Sequence, residues 1–282
     1  MSPVPEVAPI VREAGNQRVW VKREARTHVW VQDGICHKAY FVPSWLRWRE
    51  VGRISRAQRE HDNLVALDLA GVPAIRAVGW SERRSHGARC VSTVRTEWVG
   101  GHTNLREWLR EPASAIQSIT LGDALGAALA RLHRCGFVCY TASPRNWLLR
   151  ARPSGQAMEP GDVLLCDVVA LSPQHRTAAG PRDLVASRRA CIDLYSLALG
   201  KSRRREMSAA FRMRILLTYC SGDRRRARRL WIRVQRWHYR GFRLRKDVGM
   251  VADKLRATLA RLVGGGGVAA RRASTAPPGD DR

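Results

Sequence analysis

The sequence predicts an α+β fold of two lobes, a small antiparallel-sheet lobe followed by a mainly helical one. Three observations predict it. Residues 17–43, "QRVWVKREARTHVWVQDGICHKAYFVP", alternate apolar and polar positions and favour Val, Trp and Tyr, the pattern of half-buried strands. Beyond about residue 103 the apolar spacing becomes helical in most segments. Between the two patterns stands Gly100-Gly101, a natural hinge.

Each element follows in order. Residues 1–15 are Pro-rich and aperiodic and read as a flexible N-terminus. The alternating stretch gives two or three strands, with one tight turn at Asp33-Gly34. "SRAQREHDNLVALDLAG" (55–71) has apolar residues at helical spacing, Leu64, Leu67 and Leu69 among them, and a glycine stop before Pro73. "AIRAVGWSERRSHGARCVSTVRTEWV" (74–99) reads as two strands around a basic turn. The small lobe is therefore expected over 16–100 and the helical lobe over 101–262, with a low-complexity tail at 263–282 that should be disordered.

In the helical lobe, "TNLREWLRE" is a short helix capped by Thr103 or Asn104, and "SITLGDALGAALARLHRCG" (118–136) a longer one ending on Gly136. Strands are expected at "NWLLR" and "DVLLCDVVAL", flanking a Gly- and Pro-rich loop. Helices resume with "RDLVASRRACIDLYSLALG", "RREMSAAFRMRILLTYCSG", "DRRRARRLWIRVQRWHYRGF" and "KDVGMVADKLRATLARLV".

Composition narrows the function. A hydrophobic content of 45% over 282 residues suffices for a real core. The formal charge of +26, mostly from arginine, attracts polyanions such as nucleic acid, anionic lipid or nucleotides, although arginine-rich codon usage alone yields a solvated basic surface. Seven scattered cysteines form no C-x-x-C pair or zinc-type cluster and read as reduced, buried small residues. No apolar run of about 18 residues and no basic head with an apolar core is present. The expected location is cytoplasmic.

Four polar residues stand in an order that carries chemistry. Lys38 ends a strand-like segment, Glu60 lies in the following helix, Asn146 precedes a strand and Asp167 closes the next one. Each alone has an ordinary structural reading, as an exposed lysine, a surface helix acid, a turn cap and a strand end. Together they match the phosphotransfer machinery of the kinase fold. A strand lysine contacts the phosphates of ATP and a helix glutamate fixes it, while an amide oxygen and a carboxylate supply the hard ligands that magnesium requires.

The chain resembles the lipopolysaccharide kinase family, which phosphorylates Kdo or heptose of the lipopolysaccharide inner core. The resemblance rests on "RAQREHDNLVALDLAGVPAIRAVG", "TEWVGGHTNLREWL", "LGAALARLHRCGFVCYTASPRNWLL", "LLCDVVAL" and "RRACIDLYSLALG". It implies that Lys38 is the nucleotide lysine, Glu60 its partner, and Glu97 to Gly101 the hinge against adenine. It further implies that Asn146 and Asp167 hold magnesium and that Asp193 supports the catalytic loop from below. The family pattern resembles H-x-D where this chain reads Cys139, Tyr140, Thr141, so the catalytic base is missing and Thr141 occupies its place. The glycine after the metal aspartate is replaced by Val168 and Val169.

Three functions stay open from sequence. One is an ATP- and Mg²⁺-dependent kinase of a glycolipid or sugar hydroxyl, with transfer impaired or absent because of Thr141. A second is a pseudokinase, a nucleotide-binding or scaffold module. The third is a basic nucleic-acid-binding protein, carried by "GDRRRARRLWIRVQRWHYRGFRLRK", where Trp231, Trp237, Tyr239 and Phe242 interleave with arginines. The same helix could pack its aromatics on the large lobe, or lie peripherally on anionic lipid at the inner face of the cytoplasmic membrane.

Overall fold

The computed structural model describes residues 18–85, 88–111, 114–153, 156–173, 187, 189–199 and 207–235, together with positions 248, 251 and 255. The segment 1–15, the tail 263–282, the loop around Pro181 and most of the last expected helix lie outside the described residues. The chain divides into two compact units, Met1–His102 and Thr103–Arg282.

The first unit is built on a five-stranded antiparallel sheet. Its strands are β1 (Val19–Glu24), β2 (Thr27–Gln32), β3 (Ile35–Phe41), β4 (Ala77–Ser85) and β5 (Ala88–Glu97), in the spatial order β1-β2-β3-β5-β4. Three strands thus occupy the alternating stretch. The β2–β3 turn falls at Asp33-Gly34, with φ of 51° and 71°, the two left-handed residues of a tight hairpin turn.

Helix α1 (Arg56–Leu69) follows β3. The Ser55 side chain caps it by accepting from the Gln58 N–H. At its other end Gly71, at φ 62°, donates to the Asp68 carbonyl while Val72 donates to that of Leu67. This is the paired C-terminal closure that only a left-handed residue allows. The buried stripe is Ala57, Glu60, Leu64 and Leu67. Leu69, expected on that stripe, is 83% exposed, because two residues along a helix turn the side chain through about 200°. A 3₁₀ turn at Ser44–Glu50, which periodicity does not signal, lies between β3 and α1.

The second unit begins at Thr103, within β6 (His102–Asn104), and continues with α2 (Leu105–Trp108), whose cap is Asn104 accepting from the Glu107 N–H. Helix α3 (Ala115–Arg134) starts three residues before the expected Ser118. The reason is a reciprocal capping box between Ser114 and Gln117, a pair that lies outside the apolar run. After it come β7 (Phe137–Val138), β8 (Trp147–Arg150), β9 (Val163–Leu165) and β10 (Ser172–Pro173). β8 sits between β6 and β9, and β7 pairs with β10.

The expected strand at "DVLLCDVVAL" shortens to β9, since a turn closed by the Leu171 N–H on the Val168 carbonyl bends the chain away. Arg152 grips Asp162 through two bonds of 2.8 and 2.9 Å and fastens the start of β9 to the end of β8. Helices α4 (Ala190–Leu194), α5 (Ala209–Tyr219) and α6 (Arg224–Gln235) complete the unit, α4 running on into a π-helical turn at Tyr195–Leu199. Its core is centred on Leu121, Leu125, Leu129 and Leu132 of α3, with Trp147, Leu149 and Leu165 of the sheet and Tyr219 of α5 fully buried as well.

Candidate functional site

The sheet unit carries the first group of candidate residues. Cys36, Lys38 and Tyr40 alternate along β3 and so share one face of the sheet. Lys38 Nζ lies 3.0 Å from Glu60 Oε1, and the Tyr40 hydroxyl donates to Glu60 Oε2. The Glu60 side chain is 2% exposed and that of Lys38 20%, so the carboxylate is sealed while the lysine side chain stays partly open. Burial, and then the Glu60 charge, push the Tyr40 hydroxyl well above its ordinary value, which keeps it a proton donor.

Glu60 is an acid inside the apolar stripe of α1, a placement tolerated only because both oxygens are satisfied. Glu60→Ala should strand the buried Tyr40 hydroxyl and cost about 1–3 kcal/mol in chemical denaturation. The same change in a Tyr40→Phe background should cost less, which would show the two groups to be coupled. Sequence reasoning found Lys38 and Glu60 but missed Tyr40. Its signal was the two-residue spacing from Lys38 on one strand.

The second unit carries the loop. Asn146 ends a 3₁₀ turn (Pro144–Asn146) and is 5% exposed; its Nδ2 donates to the Thr141 carbonyl at 2.7 Å. The Cys166 N–H donates to the Asn146 carbonyl at 2.9 Å, which holds the end of β9 against the loop. Asp167 follows immediately and is exposed. Thr141 Oγ1 lies 3.3 Å from the Cys139 carbonyl and 3.4 Å from that of Asp167. Asn146, Thr141 and Asp167 are therefore brought together.

Tyr140 and Asp167 hold φ of 56° and 54°. Non-glycine residues avoid that region, and such backbone persists where the surroundings over-determine it. Among the described residues, four non-glycine positions have positive φ, and two of them lie in this loop pair.

A buried network supports the loop. Asp193 Oδ2 accepts from the Cys139 N–H at 2.7 Å and lies 3.2 Å from His133 Nε2. Because a carboxylate only accepts, Nε2 carries the proton. His133 Nδ1 is 2.8 Å from the Tyr219 hydroxyl, and His133, Asp193 and Tyr219 are all fully buried. Asp193 thus does hold the loop's backbone, while His133 and Tyr219 escaped the sequence reading. Their signal was weak, a histidine and a tyrosine on otherwise apolar helix faces.

Cys139 stands inside this network. Burial, reinforced by the Asp193 charge, pushes its thiol from an ordinary value near 9 up to about 12. The folded state therefore keeps the thiol protonated where an unfolded chain ionises. The stability this contributes is complete below pH 9 and fades as pH rises from there toward 12. Under native conditions at pH 8, iodoacetamide should leave Cys139 unmodified, read by peptide mass mapping, and should label it on unfolding.

Glu97 closes β5 opposite Ile35 and forms an exposed ion pair with Arg76 at 3.3 Å. Such a pair contributes little to stability. In the basic element, α6 buries Ala227, Leu230 and Val234, and the Arg212 guanidinium sits 5.0 Å above the Trp231 ring. Trp231 is thus engaged within the fold. Ile232, expected on the same stripe, is exposed, and Trp237, Tyr239 and Phe242 lie outside the described residues.

Asn146 and Asp167, the latter lying two residues past β9, carry oxygens of the hard type that magnesium takes, and the Asn146 nitrogen is committed to the Thr141 carbonyl. An antiparallel sheet with its lysine clamped by a helix glutamate, and a helical unit with this loop, define a protein-kinase-like fold. The chain belongs to the lipopolysaccharide kinase (Kdo/WaaP) family, which it matches over residues 14–161, just over half its length. Among solved structures it is similar to WaaP in complex with acyl carrier protein, at 20% identity and a TM-score of 0.53, over 78% of this chain and 87% of that one. No curated protein matches significantly. The expected α+β class, an antiparallel-sheet lobe plus a helical region, is the one observed.

Proposed function

We propose that this kinase-like protein binds ATP with Mg²⁺ and directs phosphoryl transfer to a sugar hydroxyl of a lipopolysaccharide-core glycolipid, with the transfer step impaired. Lys38, fixed by Glu60, meets the nucleotide phosphates; Asn146 and Asp167 hold the metal; the Glu97 to Gly101 segment receives the adenine. Bound magnesium would neutralise phosphate charge. The observation that carries this reading is the Lys38–Glu60 pair at 3.0 Å, a partly exposed strand lysine fixed by a sealed helix carboxylate.

Impairment follows from Thr141. Its hydroxyl cannot accept the acceptor's proton at neutral pH, and it lies against the carbonyl oxygens of Cys139 and Asp167 and the Cys139 sulfur, none of them a carboxylate. Positioning and charge stabilisation remain, and these supply most of phosphoryl transfer.

Titration calorimetry with ATP in the presence and absence of magnesium tests the binding half. Asp167→Ala should weaken the magnesium-dependent component by about 1.5–3 kcal/mol, roughly 10- to 150-fold, and leave metal-free binding nearly unchanged. Absence of binding at millimolar ATP would sink both the kinase and the pseudokinase readings. Turnover is then measured on a core oligosaccharide, with and without an acyl carrier protein, because the similar WaaP is solved with one.

A further inference from the structure

The first unit presents two tryptophans outward from a rigid support. In the 3₁₀ turn Ser44–Glu50, Trp45 and Trp48 are one turn apart, and three residues per turn put both on the same face. They are 67% and 72% exposed, and Val51, just past the turn, is 66% exposed. Exposed aromatics of that size adjoining each other are uncommon on a water-facing surface and mark a surface of interaction.

The support beneath them is built. Arg89, 3% exposed, reaches up from β5 to Glu50 Oε2 at 2.8 Å and donates to the Arg53 carbonyl. Glu82 adds a second carboxylate 2.9 Å from Arg89. Burial alone would raise the Glu82 carboxyl, but the Ser55 hydroxyl and the Arg89 charge outweigh it and hold the carboxyl below its ordinary value. Leu46 lines a cleft with Tyr40, Phe41 and Val42. The turn is thus held at its C-terminal end by Arg89 and packed through Leu46, while Trp45 and Trp48 are exposed.

The charge of this segment selects the occupant. Arg53, two residues past Val51, is exposed, as are Arg56 and Arg26, which line the cleft that Leu46 enters. Tryptophan bodies on a segment that carries exposed guanidinium groups suit the headgroup layer of an anionic bilayer, where the indole ring enters the apolar boundary and arginine meets phosphate. A protein partner would need a pocket for each ring; a bilayer needs none. We infer that Trp45, Trp48 and Val51, with Arg26, Arg53 and Arg56, form a docking surface for an anionic lipid bilayer, on the sheet unit rather than on the basic C-terminal helix.

The inference rests on this surface and not on nucleotide binding, so its test uses none. The full chain is sedimented with vesicles of phosphatidylcholine containing about one-third phosphatidylglycerol, and with pure phosphatidylcholine vesicles, at low and high salt. Wild type should pellet with the anionic vesicles. Trp45→Ser/Trp48→Ser should lower the partition coefficient by about tenfold or more, while Trp20→Ser, an exposed tryptophan of β1, should leave it within about twofold.

Thermal unfolding of wild type and the double variant should coincide, since Trp45 and Trp48 lie on the surface, whereas Trp20 packs against His28 and Trp30 and its loss should lower the unfolding temperature somewhat. Failure of wild type to bind the anionic vesicles overturns the inference. So does equal binding by the double variant, which would assign attraction to the general basic charge. If the double variant unfolds early, Trp45→Tyr/Trp48→Tyr replaces it; that pair should retain most binding, and its falling to the level of pure phosphatidylcholine would equally overturn the inference.

Discussion

Thr141→Asp should raise turnover on a core-oligosaccharide acceptor by about 100- to 10,000-fold, the range that a positioned general base contributes. The substitution is accommodated locally. Asn146 holds residue 141 by its backbone carbonyl, a bond independent of the side chain. The threonine hydroxyl can donate to the carbonyls of Cys139 and Asp167, whereas a carboxylate cannot, and would turn outward from them. A base acts on the transition state, so the gain should fall on kcat with KM little changed. Unchanged turnover in a variant that binds Mg²⁺ and ATP normally would show that residue 141 does not limit transfer.

Gly126→Ala should lower stability by about 3 kcal/mol or more, and the melting temperature by roughly 6–12 °C. A Cβ at Gly126 would sit 2.5 Å from the Ile215 carbonyl oxygen, 3.0 Å from Thr218 Cβ and 3.1 Å from the Tyr219 nitrogen. The first and last are backbone atoms, so the clash is relieved only by moving α5 away from α3. That displacement reaches the site. Tyr219 on α5 holds His133 on α3, which in turn meets the carboxylate that anchors Cys139. Gly161→Ala, where a Cβ meets nothing within 4 Å, is the control and should change stability by less than about 0.5 kcal/mol. Equal effects at the two glycines, read by differential scanning calorimetry, would refute the close-approach argument.

Both predictions draw on features of unequal visibility in the sequence. The strands, the Asp33-Gly34 turn and the glycine stop of α1 were legible because each is a local rule: alternation, paired left-handed residues, and a residue without Cβ after the last turn. The pairing of Lys38 with Glu60 was legible through chain order. The other buried partners were not. Tyr40, His133 and Tyr219 are polar residues among apolar ones, and which buried hydroxyl or imidazole meets which carboxylate depends on contacts 20 to 86 residues apart. The 3₁₀ turn with Trp45 and Trp48 escaped for another reason: a short turn has no period long enough to be counted.

The sequence by itself determined the α+β class and the succession of sheet and helices. These need only nearest neighbours, residue chemistry and chain order. Only the tertiary structure decided that Glu60 is sealed by two donors, that Asp193 grips the Cys139 amide, and that the Asn146 amide nitrogen is committed to the loop. Those are long-range satisfactions of buried polar groups. A chain can bury such groups only where folding brings a partner to each, and local sequence carries no record of that partner.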